Sequence, residues 1–372
     1  MSIYAFIFGR EGVLSLAELS ARYPQIKFLE DGDLGAIAEL PIVFDQNEMN
    51  QVGGLVKAGV VLKKTDREKL VSDIVEALLS DYKDGKLNYA VSIYGWPEKN
   101  LRGLLSDIKQ NLKGQGINSR FANQDFTNLS VAQRKGLKGD EILVCKVEDV
   151  YYLAKLVATQ DIDHYSKRDY YKPFRDMKMG MMPPKLAQMM INLTGSKGRI
   201  WDPFCGGGVL VMEGLLMGHD MMGSDISEKH LNGAVLNVDW LQREFSFKSK
   251  VELFLHDATQ PLSGKKFDAI ACEGYLGPPQ EGPLNRERLD SVSAELNQLY
   301  VEFFSALKSI AFKGPVVIAM PFFRGSDKKN HFLDHALGII EKTGFKMMSD
   351  TLFYAREDQI VGRAIYRFQL SR

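Results

Sequence analysis

The chain has 372 residues, 45% of them hydrophobic and 25% charged, which excludes a disordered or fibrous protein and leaves room for two or three separately packed cores. Lysine plus arginine equals aspartate plus glutamate at 47 each, so no overall basic charge draws the chain to nucleic acid, and any such binding must come from local patches. No stretch reaches the ~18 apolar residues of a membrane span, and the opening M-S-I-Y-A-F-I-F-G-R lacks the basic region and long apolar run of a signal peptide, so a cytoplasmic protein with no membrane partner is expected.

In chain order, Ile3 to Phe8 is a β-type run. Ser15 and Glu18 then stand at capping-box spacing, as if opening an amphipathic helix through Leu16, Leu19 and Tyr23. Strands are expected at Ala36 to Leu40, Val60 to Leu62 and Asn88 to Tyr94, and helices over Asp66 to Leu79 and from about Glu98 to Leu112. The stretch from Asp163 to Pro184 mixes charge, Tyr, Met and Pro without clean periodicity, which marks a linker and a domain boundary. Beyond it, helices (Lys185 to Leu193, from Val209, up to Trp240, Leu289 to Leu307) alternate with short apolar runs (Arg199 to Trp201, Met221–Met222, Val251 to Leu255, Phe267 to Ala271, Val316 to Ala319). That is the rhythm of a doubly wound, mostly parallel sheet, and the runs at Phe345 to Asp350 and Ala364 to Leu370 suit a closing antiparallel pair.

Ligands of such sheets sit at the carboxyl ends of the strands. After the first strand comes D-P-F-C-G-G-G-V-L, Asp202 to Leu210, whose glycines allow close backbone approach before a helix. A dinucleotide fingerprint starting at Gly206 and Gly208 fails at Val211, and Asp202 would repel a pyrophosphate but could hold the ammonium of an amino-acid-bearing cofactor. Asp225, after the second strand and about twenty residues on, is placed to accept from ribose hydroxyls, and Asp257, after the third, to meet an adenine amine. Either acid could alternatively be a helix cap or a solvated loop residue. After the fourth strand, Glu273, Gly274 and Tyr275 join an acid to an aromatic ring, which suits methylation of an exocyclic amine: the ring stacks on the base while acceptors take its N–H groups. Cys145, Cys205 and Cys272 are scattered and show no C-x-x-C spacing, so neither a disulfide framework nor a metal site is expected.

These residues resemble the THUMP-containing, Rossmann-type RNA methyltransferases that act on the exocyclic N2 of guanosine in tRNA, whose first cofactor motif usually reads D-P-F-C-G-T-G. Arg168-Asp169 through M-G-M-M-P-P-K-L-A resembles that family's linker and lead-in helix, and Q-V-G-G-L-V-K-A-G and Y-A-V-S-I-Y-G are similar to segments at the start of its THUMP region. The resemblance implies an α/β fold: a Rossmann-like class I methyltransferase domain over 183–372, mostly parallel with an antiparallel C-terminal strand, a linker over 161–182, a THUMP-like RNA-binding domain over 56–160 and a ferredoxin-like α/β region over 1–55. It implies S-adenosyl-L-methionine as cofactor, held by Pro184, Asp202, Pro203, Phe204, Cys205, Gly206, Gly208, Asp225, Ile226, Asp257, Ala258 and Glu273, with Glu273 and Tyr275 catalytic. The partner it implies is tRNA or another structured RNA, and some members work with a small accessory protein. One departure stands out, because the family's catalytic motif is typically D-P-P-Y whereas here it is Glu273-Gly274-Tyr275. Gly274 keeps a backbone carbonyl as acceptor but lacks the fixed φ of proline.

Two alternatives share these residues. The same acid-to-aromatic motif serves adenine N6 or cytosine N4 in flipped DNA bases, and the departure at Gly274 also suits a non-catalytic RNA-binding module. Candidate RNA-facing cations are Lys57, Lys63, Lys64, Arg67 and Lys69 and, in the linker, Lys167, Arg168, Lys172, Arg175 and Lys178, the latter set interleaved with Tyr165, Tyr170, Tyr171 and Phe174.

Overall fold

The computed structural model describes residues 1–95, 101–176, 181–356 and 359–371. The expected helix start at Glu98 and the cation Lys178 lie outside the described residues. The chain divides into two compact units, one of residues 1–16 and 23–163 and the other of 17–22 and 164–372.

The first unit carries β1 (Ser2–Phe8), α1 (Gly12–Arg22), β2 (Lys27–Gly32), β3 (Gly35–Leu40), α2 (Gln46–Met49), β4 (Leu55–Thr65), α3 (Leu70–Leu79), β5 (Leu87–Tyr94), α4 (Arg102–Gly114), β6 (Ser119–Phe121), α5 (Val131–Lys135), β7 (Asp140–Val147) and β8 (Val150–Thr159). Among the described residues its strands form one sheet of order β2-β3-β1-β4-β8-β7-β5-β6. The expected boundary at 55/56 falls at the start of β4, which pairs antiparallel with β1 on one side and β8 on the other. The capping box expected at Ser15 does not form, because α1 begins three residues earlier. Ser15 is buried inside it, its Oγ donating to the Glu11 carbonyl at 2.7 Å and the Gly54 carbonyl at 3.2 Å.

The cations of this unit are not the open set that the sequence suggests. Lys57 is 1% exposed; its Nζ donates to the Leu129 carbonyl at 2.6 Å and to the buried Glu141 carboxylate, which the Ser92 hydroxyl also reaches. Lys63 bridges Asp73 and Glu76, both at 2.8 Å, and Lys64 lies over the Tyr152 ring. A buried lysine with a carboxylate partner is an internal strut, since an unpaired charge there would be strongly destabilising.

The second unit carries α6 (Ile162–Tyr170, its first two residues lying before the division), α7 (Pro184–Leu193), β9 (Ile200–Asp202), α8 (Val209–Leu216), β10 (Met221–Asp225), α9 (Glu228–Glu244), β11 (Val251–Leu255), β12 (Ala269–Glu273), α10 (Arg286–Ser309), β13 (Val316–Arg324), β14 (Asn330–His331), α11 (Asp334–Lys342), β15 (Phe345–Met347), β16 (Leu352–Tyr354) and β17 (Val361–Leu370). The sheet order is β11-β10-β9-β12-β13-β17-β15, with β14 on β13 and β16 on β17. Strands β9 to β13 run parallel, while β17 runs antiparallel between β13 and β15, as the tail pattern leads one to expect. The central strands β12 and β13 are buried almost throughout because helices cover both faces of a parallel sheet, whereas edge strand β11 is only half covered. Order reverses at β9: the chain passes to β10 on one side and later to β12 on the other, which leaves a crevice at their carboxyl ends.

The linker residues are largely structural. Arg168 is buried and pairs with the buried Glu213 of α8 at 2.6 Å, Gln188 of α7 donates to the second Glu213 oxygen at 2.9 Å, and the Tyr165 hydroxyl donates to Gln188 at 2.6 Å. Burial pushes the Glu213 carboxyl upward, with Arg168 opposing, and pushes the Lys172 ammonium downward, with Asp169 opposing. Lys172 donates to the carbonyls of Arg168 and Asp169, so it and Arg168 hold the segment together instead of facing RNA. Tyr170 and Tyr171, at 60% and 72% exposed, keep the solvent-facing position expected of stacking residues.

Candidate active site

The turn after β9 is built by its glycines. Gly206 and Gly208 sit at φ +49° and +76°, the left-handed region that other residues adopt at a penalty, and Gly208 donates to the Cys205 carbonyl at 2.7 Å before α8 begins. Phe174 packs beside the turn, close to both Gly207 and Gly233, and Asn237 ties the two together. Its Nδ2 donates to the carbonyls of Gly207 (2.7 Å) and Phe174 (3.0 Å), and its Oδ1 accepts the Phe174 N–H (2.8 Å). Phe174 is thus part of the loop's support, a role its place among linker cations did not reveal.

Asp202, at the end of β9, is 2% exposed, and its Oδ1 accepts the Phe204 N–H at 3.2 Å. Among the described residues no cation pairs with it. Burial pushes its carboxyl well above the usual carboxylate range, the nearby Asp225 and Glu273 add to the rise, and the Phe204 N–H opposes it. A buried carboxyl with no counter-ion is the observation that tests for a cationic ligand, and an ammonium beside it would reverse the desolvation penalty.

Asp225 ends β10 with its carboxylate oriented by two backbone donors, Gly206 N–H to Oδ2 at 2.9 Å and Ser227 N–H to Oδ1 at 2.8 Å, and Ile226 beside it is 70% exposed. Asp257 turns after β11, its Oδ1 accepting from Thr259 N–H (2.9 Å) and hydroxyl (2.8 Å). Ala258 is buried, Pro184 opens α7 as its first residue and is buried, and Phe204 packs edge-on against Phe303. Pro203 is buried, as is Cys205, whose N–H donates to the Ser224 carbonyl and whose thiol burial pushes well up, so it serves as packing and not as a nucleophile. The Gly-rich backbone, the lone buried acid and the two oriented strand-end acids together fit an adenosyl amino acid.

Glu273 closes β12, the strand next to β9, and Tyr275 follows with its ring 37% exposed. Two residues missing from sequence reasoning complete this corner. Arg363 of β17 donates through Nε to Glu273 Oε1, and Tyr300 of α10, fully buried, donates its hydroxyl to the Tyr275 carbonyl at 2.8 Å. Glu273 Oε2 and the Gly274 carbonyl meet no donor among the described residues. Burial pushes the Tyr275 phenol upward, with Glu295 adding and Arg288 opposing, and Tyr300 well upward, so both remain neutral donors.

The stretch that holds these residues matches known proteins. Residues 171–321 match the RMKL-like methyltransferase domain of the UPF0020 family. That range runs from the Phe174 support through the Gly turn and Glu273 to the middle of β13. The chain is 31% identical over 188 residues to the tRNA (guanine(10)-N2)-dimethyltransferase of Pyrococcus abyssi, covering 50% of this chain and 49% of that protein. It is 28% identical over 205 residues to the protein of the same name from Methanothermobacter thermautotrophicus, covering 54% and 55%. The chain therefore spans about half the length of these curated relatives. Among solved structures, TrmN from Thermus thermophilus aligns over 100% of both chains with a TM-score of 0.54 at 15% identity. SMU.472, a putative methyltransferase complexed with SAH, aligns over 100% of this chain and 99% of its own with a TM-score of 0.51 at 11% identity. At these identities the structural likeness speaks for the fold: an α/β region followed in sequence by a class I methyltransferase sheet.

Proposed function

We propose that this chain is an S-adenosylmethionine-dependent methyltransferase for the exocyclic N2 amine of a guanosine in tRNA. The observation that carries the reading is the pairing of a buried Asp202 on β9, with no counter-ion among the described residues, with the carboxylate of Glu273 at the end of neighbouring β12 and the Gly274 carbonyl and exposed Tyr275 ring just after it. When bound, the cofactor supplies an electrophilic methyl group on a sulfonium. Asp202 would hold its ammonium, Asp225 its ribose and Asp257 its adenine amine, while Ile226 would offer an apolar cover. Tyr275 stacks the target base, typically worth about 1–3 kcal/mol. Glu273 Oε2 and the Gly274 carbonyl accept the two amine N–H groups, which turns the nitrogen lone pair out of conjugation and toward the methyl carbon. Transfer from the sulfonium would break its C–S bond as the N–C bond forms, with the proton on the alkylated nitrogen passing to water. Holding the partners in line supplies much of the acceleration.

The curated relatives, named for tRNA guanine N2 dimethylation, favour tRNA over DNA as the acceptor. The first unit, read as THUMP-like, would then hold the RNA, and the cytoplasm is the expected location. The test is methyl transfer from labelled S-adenosylmethionine to unmodified tRNA transcripts, with nucleoside mass analysis of the digest. Methylguanosine is expected, and Glu273→Gln and Tyr275→Ala should each lower the rate at least ~10-fold by removing an acceptor or a stacking face. Full activity in both variants would remove the site assignment. Label appearing equally in duplex DNA, as methyladenine or methylcytosine, would move the substrate class.

A further inference from the structure

Glu273 is one methylene longer than the aspartate usual at this position in the family the motif resembles, so its carboxylate has one more torsion to fix. The fixing group comes from the far end of the chain. Arg363 pairs across β13 and not with a neighbour. In the register, Glu273 lies opposite Ala319 on β13, and Pro321, two residues further along that strand, lies opposite Arg363 on β17. The two residues thus sit two strands apart, roughly 10 Å of backbone separation at ~4.8 Å per strand, which only long side chains can bridge. They meet with side chains 17% and 7% exposed.

We propose that Arg363 is a positioning residue for methyl transfer. By holding Oε1 of Glu273 through one oriented Nε–H it leaves Oε2 facing the substrate amine, and the Glu–Arg unit takes the place of the family's shorter aspartate. The inference rests on the methyl-transfer reading above. Charge neutralisation alone does not account for the pair: among the described residues Asp202, the more deeply buried acid, has no cation, whereas Arg363 is spent on the acid whose other oxygen meets no donor. Removing the guanidinium alone would also leave a largely buried carboxylate unpaired and cost stability, so the rate is read on folded protein and compared with Arg363→Lys.

The test is a double-mutant cycle on the full chain, read as single-turnover methyl transfer to tRNA transcripts with saturating labelled cofactor and, separately, as cofactor affinity. Arg363→Met is expected to slow transfer about 30-fold with RNA KM and cofactor affinity within about threefold, and Glu273→Gln/Arg363→Met to be no slower than Glu273→Gln, because residues acting as one unit are non-additive. Arg363→Lys, which keeps the charge but not the planar donor, should fall between. Fully additive effects, or a wild-type rate in Arg363→Met, would overturn the inference. If Arg363→Met does not fold, Arg363→Lys decides, and a wild-type rate there overturns it equally. A wild-type protein that methylates no transcript removes the methyl-transfer reading itself and this inference with it, whereas the outcomes above, seen with an active wild type, remove this inference alone.

Discussion

Replacing Asp202 with asparagine is expected to abolish tight S-adenosylmethionine binding while raising the thermal stability of the cofactor-free protein. Both effects come from one fact: the carboxyl is 2% exposed and has no cation among the described residues. Its folded pKa is raised, chiefly by burial. Between the ordinary carboxylate value and that raised value, the folded state binds more protons than the unfolded state, so stability is fully present at low pH and is lost as pH rises through the folded pKa. Asparagine removes this penalty and keeps an oxygen for the Phe204 N–H, so a melt without cofactor should shift upward, by roughly 2–4 °C for each kcal/mol recovered.

With cofactor the sign reverses. Truncating one partner of a buried, hydrogen-bonded charge pair typically costs about 2–5 kcal/mol, so affinity should fall on the order of 10²–10³-fold, and the thermal upshift that ligand gives the wild type should vanish. Because an ammonium prefers the ionised acid, wild-type binding should release a proton and strengthen as pH rises toward the raised pKa; in Asp202→Asn this dependence should flatten. Calorimetry in two buffers of different ionisation enthalpy, beside melts with and without ligand, checks all of this. A variant that binds normally, or melts lower without ligand, would take Asp202 out of the cofactor site.

Sequence reading succeeded where the physics is local. Asp202 and Asp225 end short strands that lead into helices and Asp257 lies two residues past β11, so all three stand at the carboxyl ends of strands whatever the distant chain does. Strands β7 and β8 escaped notice because five and four successive residues in them are buried, so no alternation marks them. The misread cations have the same origin in reverse. Arg168 and Glu213 are 45 residues apart and Lys57 and Glu141 are 84 apart, and a charge in a sequence carries no sign of a buried partner that far away. Arg363, 90 residues beyond Glu273, lay out of reach for that reason, and so did Tyr300, whose bond to the carbonyl of Tyr275 depends on how α10 packs over β12.

Tyr300 also explains why the motif reads Glu-Gly-Tyr. A Cβ built on Gly274 would lie 2.4 Å from the Tyr300 hydroxyl oxygen and 2.5 Å from its ring, closer than real Cβ atoms approach anything, and the Gly274 N–H donates to the Ala319 carbonyl at 3.0 Å. Introducing the proline of the D-P-P-Y motif with Gly274→Pro should therefore destroy activity and not improve it. The ring would collide with a fully buried tyrosine, typically a 1–3 kcal/mol penalty for overpacking. It would also strip the Ala319 carbonyl of its donor, a further ~1–3 kcal/mol. Displacing Tyr300 would free the Tyr275 carbonyl and unseat the stacking ring, so methyl transfer should fall on the order of 10³-fold while cofactor affinity, which we assign to Asp202, Asp225 and Asp257, stays near wild type. Gly274→Ala should show the same defect, and Tyr300→Phe should not relieve it because the ring carbons at 2.5 and 2.8 Å remain. Tyr300→Ala combined with Gly274→Ala should recover folding without recovering rate, since room is made but the hydroxyl that holds residue 275 is gone. Wild-type turnover in Gly274→Pro would mean that Tyr300 yields freely, and that the glycine and the tyrosine are not the matched pair that their contact implies.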